Sequence, residues 1–307
     1  MSTDKKKRNT FALWAGAASV GTVSVLIIMK MFVYMQSGSV SVLASLTDSF
    51  VDAFVSLINF GAIRYAIRPA DHEHRYGHGK AEGLAAIMQG LFIFLAGVYL
   101  LTESFHRFQG DVIVQDHFLS IGVMAFAMFA SIGLVAFQKY SLKFAPSLAV
   151  EADQEHYKTD IALNAGVIII LLLLYYGGPA WLDPAFAICV AIYLGKTALG
   201  ITSKGLDMLL DRELPDEVRA QILEIITAHK DIKGVHDLRT RKSGMDIHIF
   251  FDVEIDPDYS LRKASEIAHE VEDELLKVFP NAEIMIHKDP YGVPHKESRH
   301  QVEGVHK

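Results

Sequence analysis

Stretches of about 20 predominantly apolar residues, the length that roughly 30 Å of hydrocarbon demands of a spanning helix, recur along the first two-thirds of the chain. Hydropathy predicts six spans, near residues 11–35, 40–67, 81–105, 117–138, 147–177 and 180–205. The Lys5–Arg8 cluster precedes the first. The run from Phe11 to Met35 is too long for a signal-peptide core and predicts a retained span. Basic residues mark alternate connections: Arg64, Arg68, Arg75 and Lys80 in the second, Lys139 and Lys143 in the fourth. Gln36, Ser37 and Gly38 in the first connection and Gly177, Gly178 and Pro179 in the fifth carry none, and the third has only Arg107. Retained loops hold the Lys and Arg excess, so an even number of spans with both termini cytoplasmic satisfies every loop.

Past Leu214 the period changes. Val218, Ile222, Ile225 and Ile226 recur at helical spacing from Pro215 to His229, with Pro215 and Asp216 as a first turn. Gly234–Arg241 and Met245–Ile255 read as strands separated by Lys242-Ser243-Gly244. Ser260–Phe279 reads as a second amphipathic helix and Ala282–His287 as a third strand. The expected fold is a six-helix transmembrane domain plus a small cytoplasmic α+β domain, ferredoxin-like in its order helix-strand-strand-helix-strand. The boundaries that follow are a cytoplasmic N-terminal tail over 1–10, the membrane domain over 11–206, the cytoplasmic domain over 207–292 and a flexible C-terminal tail over 293–307.

Composition adds exclusions. Hydrophobic residues make up 51% of the chain and lie mostly before residue 206. The net charge of −7, with no basic stripe, gives no surface for neutralising phosphates, so nucleic acid is not an expected partner. The one cysteine, Cys189, sits in an apolar run and cannot form an intramolecular disulfide.

Ionisable residues inside the spans need a reason, because each costs at least about 2.5 kcal/mol at bilayer depth. Asp48 and Asp52 share one face of the second span, and His156 and Asp160 repeat that spacing on the fifth. Neither face carries a nearby base. One imidazole and three carboxylates suffice for a four-coordinate divalent metal such as zinc; cadmium, ferrous iron, cobalt and manganese accept the same donors. Glu151, Asp153 and Glu155 are expected nearer the mouth of the span, facing water. Asp71, His72, His74 and His78 put metal-capable side chains on a Gly-bearing connection, which reads equally as a solvated loop. In the tail, His236, His248, His269 and His287 are the candidates, with Asp289 on the same strand face as His287.

Several motifs stand in one order: Gly38-Ser39-Val40-Ser41, Ser45 to Asp52, Arg68-Pro69-Ala70-Asp71, Tyr76 to Glu82, Asp153 to Asp160, Leu210 to Asp216 and Val235 to Arg241. In this the chain resembles the cation diffusion facilitator family, specifically its bacterial zinc and iron branch. The resemblance implies a homodimeric inner-membrane antiporter, not an enzyme, that exports zinc, cadmium or ferrous iron against protons by alternating access. It implies a transport site at Asp48, Asp52, His156 and Asp160, with His156 taking part in proton coupling. It also implies a loop site at Asp71, His74 and His78 and a cytoplasmic dinuclear site at His236, His248, His287 and Asp289, with zinc structural there as well as transported. Ser265 stands where that pattern has another His, and His269 one turn later is the alternative ligand. A charge interlock between Lys80 and Asp211 is implied too. Two rival readings are a membrane-anchored metal sensor or scaffold, which has no use for intramembrane ionisable pairs, and a membrane metallohydrolase, for which no His-Glu-x-x-His signature is present.

Overall fold

The computed structural model describes residues 3–37, 40–107, 117–176, 178–179, 181–293 and 305–306. The chain divides into two compact units, Met1–Leu206 and Asp207–Lys307. The first is built on six long helices: α1 (Thr3–Ser37), α2 (Val40–Ala66), α3 (Ala81–Arg107), α4 (His117–Leu142), α5 (Leu148–Tyr175) and α6 (Leu182–Leu209). The shortest has 26 residues, about 39 Å at the α-helical rise and more than a bilayer core needs. Among the described residues, four stretches are long and apolar enough to cross a membrane: Lys5–Gln36, Ala81–Thr102, Ala125–Leu142 and Ala185–Leu209. α2 and α5 are equally long and carry the ionisable residues singled out above.

The membrane unit is apolar outside and polar within. Ile28, Phe32, Tyr99, Phe129, Ile192 and Leu199 are exposed, as side chains facing lipid are. Inside, Asp153 of α5 accepts hydrogen bonds from Ser19 of α1, from Gln138 Nε2 of α4 at 2.7 Å and from Asn59 Nδ2 of α2 at 3.3 Å. Asn59 also donates to Gln89 Oε1 of α3 at 2.8 Å. Polar groups at bilayer depth need partners within the protein, and this cluster gives the Asp153 carboxylate three donors while joining five helices. Asp153, expected to face water, is instead buried, because donors from three neighbouring helices converge on it. Helix starts are tied in similarly, with Glu82 of α3 accepting the N–H of Leu148 at 2.6 Å.

α3 and α6 meet along a seam of small residues. Gly83, Gly90 and Gly97 recur every seventh position on α3. A Cβ at Gly90 would collide with Thr202, one at Gly97 would come 3.2 Å from Leu194 Cβ, and one at Gly205 would come 2.7 Å from the Gly83 carbonyl oxygen. Without a hydrophobic drive between helices in lipid, such backbone approach supplies the packing.

The second unit contains α7 (Asp216–Ala228), β1 (Ile232–Ser243), β2 (Asp246–Ile255), α8 (Leu261–Val278), β3 (Ala282–Pro290) and β4 (Val305–His306). The sheet order is β3-β2-β1-β4, with β1 antiparallel to β2 and β3 parallel to β2. The helix-strand-strand-helix-strand order expected from the sequence is present. The hairpin is tighter than its three-residue reading: Ser243 pairs with Asp246, and Gly244, at φ 60°, takes the left-handed backbone that the turn requires. Ser260 caps α8 by accepting the Lys263 N–H at 3.3 Å. Ile222 and Ile226 of α7, Ile267, Val271 and Leu275 of α8, and Val235, Ile249, Phe251 and Val253 of the sheet form one buried core. Of the tail beyond 293, Val305 and His306 pair with Val235 and Gly234; the rest lies outside the described residues.

Candidate metal centres

Between α2 and α5, Asp52, His156 and Asp160 converge. His156 Nε2 lies 3.2 Å from Asp52 Oδ1 and 3.6 Å from Asp160 Oδ2, and one donor atom from each residue falls within 4.8 Å of the others. A tetrahedral zinc with bonds of about 2.0–2.2 Å holds its donors roughly 3.3–3.6 Å apart, so these atoms are spaced to share one ion. The i,i+4 pitch of α5 stacks His156 over Asp160, and α2 brings Asp52 across to them. Asp48 lies on α2 one turn before Asp52, and its side chain lies outside the described residues. Next to the group, Tyr157 Oη and Ser56 Oγ are hydrogen-bonded at 3.1 Å.

One neighbour went unread in the sequence. Lys30 of α1 is buried and donates from Nζ to Ser49 Oγ of α2 at 2.6 Å. This base comes from α1, a third helix beside α2 and α5. A lone Lys inside the first apolar run was the available signal.

The connection between α2 and α3 folds around Asp71. Its carboxylate accepts the N–H groups of His74 at 2.6 Å and Glu73 at 3.0 Å, while His74 Nδ1 and His78 Nε2 approach it at 3.3 and 3.2 Å. The His74 N–H, above all, holds the Asp71 carboxyl below the usual carboxylate range. The ring of His78 is buried against Tyr65, with centroids 4.6 Å apart. Gly77 turns the chain at φ 77°. Asp71, His74 and His78 thus form a second group of donors within 4.8 Å, and His72 lies exposed outside it.

The third group forms on the sheet. His236, Asp252 and His287 are successive partners across β1, β2 and β3. Asp289 reaches back along β3, placing Oδ2 3.3 Å from His236 Nε2 and Oδ1 3.2 Å from His287 Nε2. Asp252 Oδ2 lies 3.8 Å from His236 Nδ1, and burial raises its carboxyl pKa against the pull of His287 and His236. His236, Asp252 and Asp289 are the donors within 4.8 Å.

Two expected ligands are not brought here. His248 lies four residues before Asp252 on β2, about 13 Å away at the rise of a strand. There it contacts Glu283 at 3.2 Å and stacks on Phe250. His269 is exposed on α8 with Nδ1 2.6 Å from the carbonyl oxygen of Ser265. Within its own unit, Asp211 pairs with Arg241 at 3.2 Å. Asp252 was missed because β1 shifts register between His236 and Arg239, with Asp237 at φ 51°. Continuing the hairpin register from Ser243–Asp246 would set Val253 opposite His236. The bulge moves Asp252 there instead.

Residues 17–210 match the cation efflux transmembrane domain, and 214–291 match the cytoplasmic domain of cation efflux proteins. The chain belongs to the cation efflux, or cation diffusion facilitator, family. It is 40% identical over 290 residues to the cation-efflux pump FieF of Yersinia pestis, covering 94% of this chain and 96% of the relative. The FieF of Yersinia pseudotuberculosis matches to the same extent. Among solved structures, the metal-bound C-terminal domain of the CzcD transporter from Thermotoga maritima is 25% identical, covering 26% of this chain and 93% of that one at a TM-score of 0.25. This cation efflux protein is therefore a multi-pass membrane transporter rather than an enzyme.

Proposed function

We propose that the chain exports divalent transition metal, zinc foremost, from the cytoplasm in exchange for protons, working by alternating access as an inner-membrane homodimer. The observation that carries this reading is the convergence of Asp52, His156 and Asp160 at donor spacing between two membrane helices; Asp48, one turn before Asp52 in the sequence, is the proposed fourth ligand. Metal needs a neutral imidazole and ionised carboxylates, so a proton arriving at His156 or at one of the aspartates competes for the same electron pairs. That competition couples the two fluxes without a separate proton site.

In this proposal the loop group at Asp71, His74 and His78 and the sheet group at His236, Asp252, His287 and Asp289 hold resident metal. The loop group bridges the start of the α2–α3 connection to its end, and the sheet group steadies the dimer.

The test is zinc flux into proteoliposomes that carry the full chain and an internal zinc indicator, with and without an imposed pH gradient. Asp52→Asn and His156→Ala are expected to lower gradient-driven flux at least about a hundredfold, the cost of losing about 3 kcal/mol of ligation. Wild-type protein that shows no response to the gradient, or His156→Ala that keeps full pH-dependent exchange, would overturn proton coupling at this site.

A further inference from the structure

Lys30 is a charged side chain within the apolar run on α1 and is only 7% exposed. An ammonium at that depth is costly enough that its partner is the first question to ask. It donates a hydrogen bond to Ser49, itself buried on α2 between Asp48 and the turn that carries Asp52. The ammonium is thus fixed to α2 at Ser49, one helical turn before the Asp52 that faces His156. A purely structural anchor for Ser49 needs no charge, since any hydroxyl or amide would bond to it more cheaply in lipid.

We infer that Lys30 is the fixed counter-charge of the transport site, offsetting part of its carboxylate charge so that a divalent ion is bound loosely enough to be released. This rests on the proposal that Asp48, Asp52, His156 and Asp160 form that site. Three carboxylates and one ammonium carry two net negative charges, which a single divalent ion neutralises. Without Lys30 the loaded site keeps a net negative charge and holds the ion more tightly. A transport site must bind well enough to load and weakly enough to unload, so the lysine acts on the second half of that requirement. It is a positioning and affinity-setting residue rather than a ligand.

The experiment measures zinc influx over a range of zinc concentrations in proteoliposomes carrying the full-length wild type, K30Q, K30R or D52N. K30Q keeps a donor for Ser49 and loses the charge. Its half-saturating zinc concentration is expected to fall about tenfold and its maximal rate to fall by a similar factor, the scale of one charge contact in a protein interior. K30R is expected to keep both within about twofold. A loss of packing alone would not lower the half-saturating concentration. If K30Q leaves that concentration unchanged or raises it, or if K30R behaves as K30Q does, the counter-charge role is overturned. If D52N transports zinc like the wild type, the underlying site assignment fails instead, whatever K30Q does. Should K30Q not purify as folded protein, K30C in a C189A background, modified with a neutral or an aminoethyl reagent, makes the same comparison within one preparation.

Discussion

His248 has the right chemistry for a metal ligand and the wrong surroundings. The residue is 2% exposed and its ring stacks on Phe250 with centroids 6.2 Å apart. Burial, reinforced by the Arg241 guanidinium, holds its pKa below the usual histidine value. A group whose folded pKa is depressed binds fewer protons in the native state than in the unfolded one. Its contribution is therefore complete above the ordinary histidine pKa of about 6.5 and is lost as pH falls below it. Amide hydrogen exchange of the full-length protein, corrected for intrinsic rates, is expected to show β1 and β2 losing protection between pH 7.5 and 5.5. His248→Phe is expected to flatten that dependence while leaving bound zinc unchanged. Lost zinc in this variant would return His248 to the ligand set. The family resemblance put His248 in one ligand set with Asp289, and what separates them is side-chain burial and strand register, neither of which is visible along a single chain.

At the level of elements, helices and strands were readable because their periods are long and uniform, and the six apolar runs and the change of period after Leu214 all correspond to described elements. Close packing and register were not. The α3–α6 seam depends on which glycines face each other, and the partner of His236 depends on a one-residue bulge. The seam makes an ordering prediction. A methyl at Gly205 would press 2.7 Å from the backbone oxygen of Gly83 and 2.8 Å from Ile87 Cγ1, whereas at Gly90 the nearest obstacle is the Thr202 hydroxyl, which can rotate away. Gly205→Ala is thus expected to cost about 1–3 kcal/mol, the range for overpacking, and Gly90→Ala less. Thermal unfolding of the detergent-solubilised protein should rank Gly205→Ala below Gly90→Ala. The reverse order would mean that α3 and α6 do not meet along these positions.

At the scale of the whole molecule, the proposed function asks a membrane site to release its ion and a sheet site to keep one, opposite demands on the same chemistry. The membrane group is half-buried and has Lys30 beside it. The sheet group alternates imidazole and carboxylate, with Asp289 within reach of both His236 and His287. It opens toward β3, the edge strand, where His287 is 68% exposed. An edge strand with an exposed ligand is suited to sharing metal with a second copy, which is the basis for assigning dimer stability to this site. Asp289 touches two histidines, while Asp252 approaches one, at 3.8 Å. Asp289→Asn is therefore expected to lower the zinc dependence of dimerisation by at least about tenfold and Asp252→Asn by less, since a charged partner in a hydrogen-bonded or ligating pair contributes about 1.5–3 kcal/mol. Sedimentation of the full-length protein in detergent, titrated with zinc after chelator treatment, reads this directly. Zinc flux at saturating concentration should survive both substitutions, because the membrane group is untouched. Dimer affinity that ignores zinc, or that is unaltered in Asp289→Asn, would separate the sheet group from assembly.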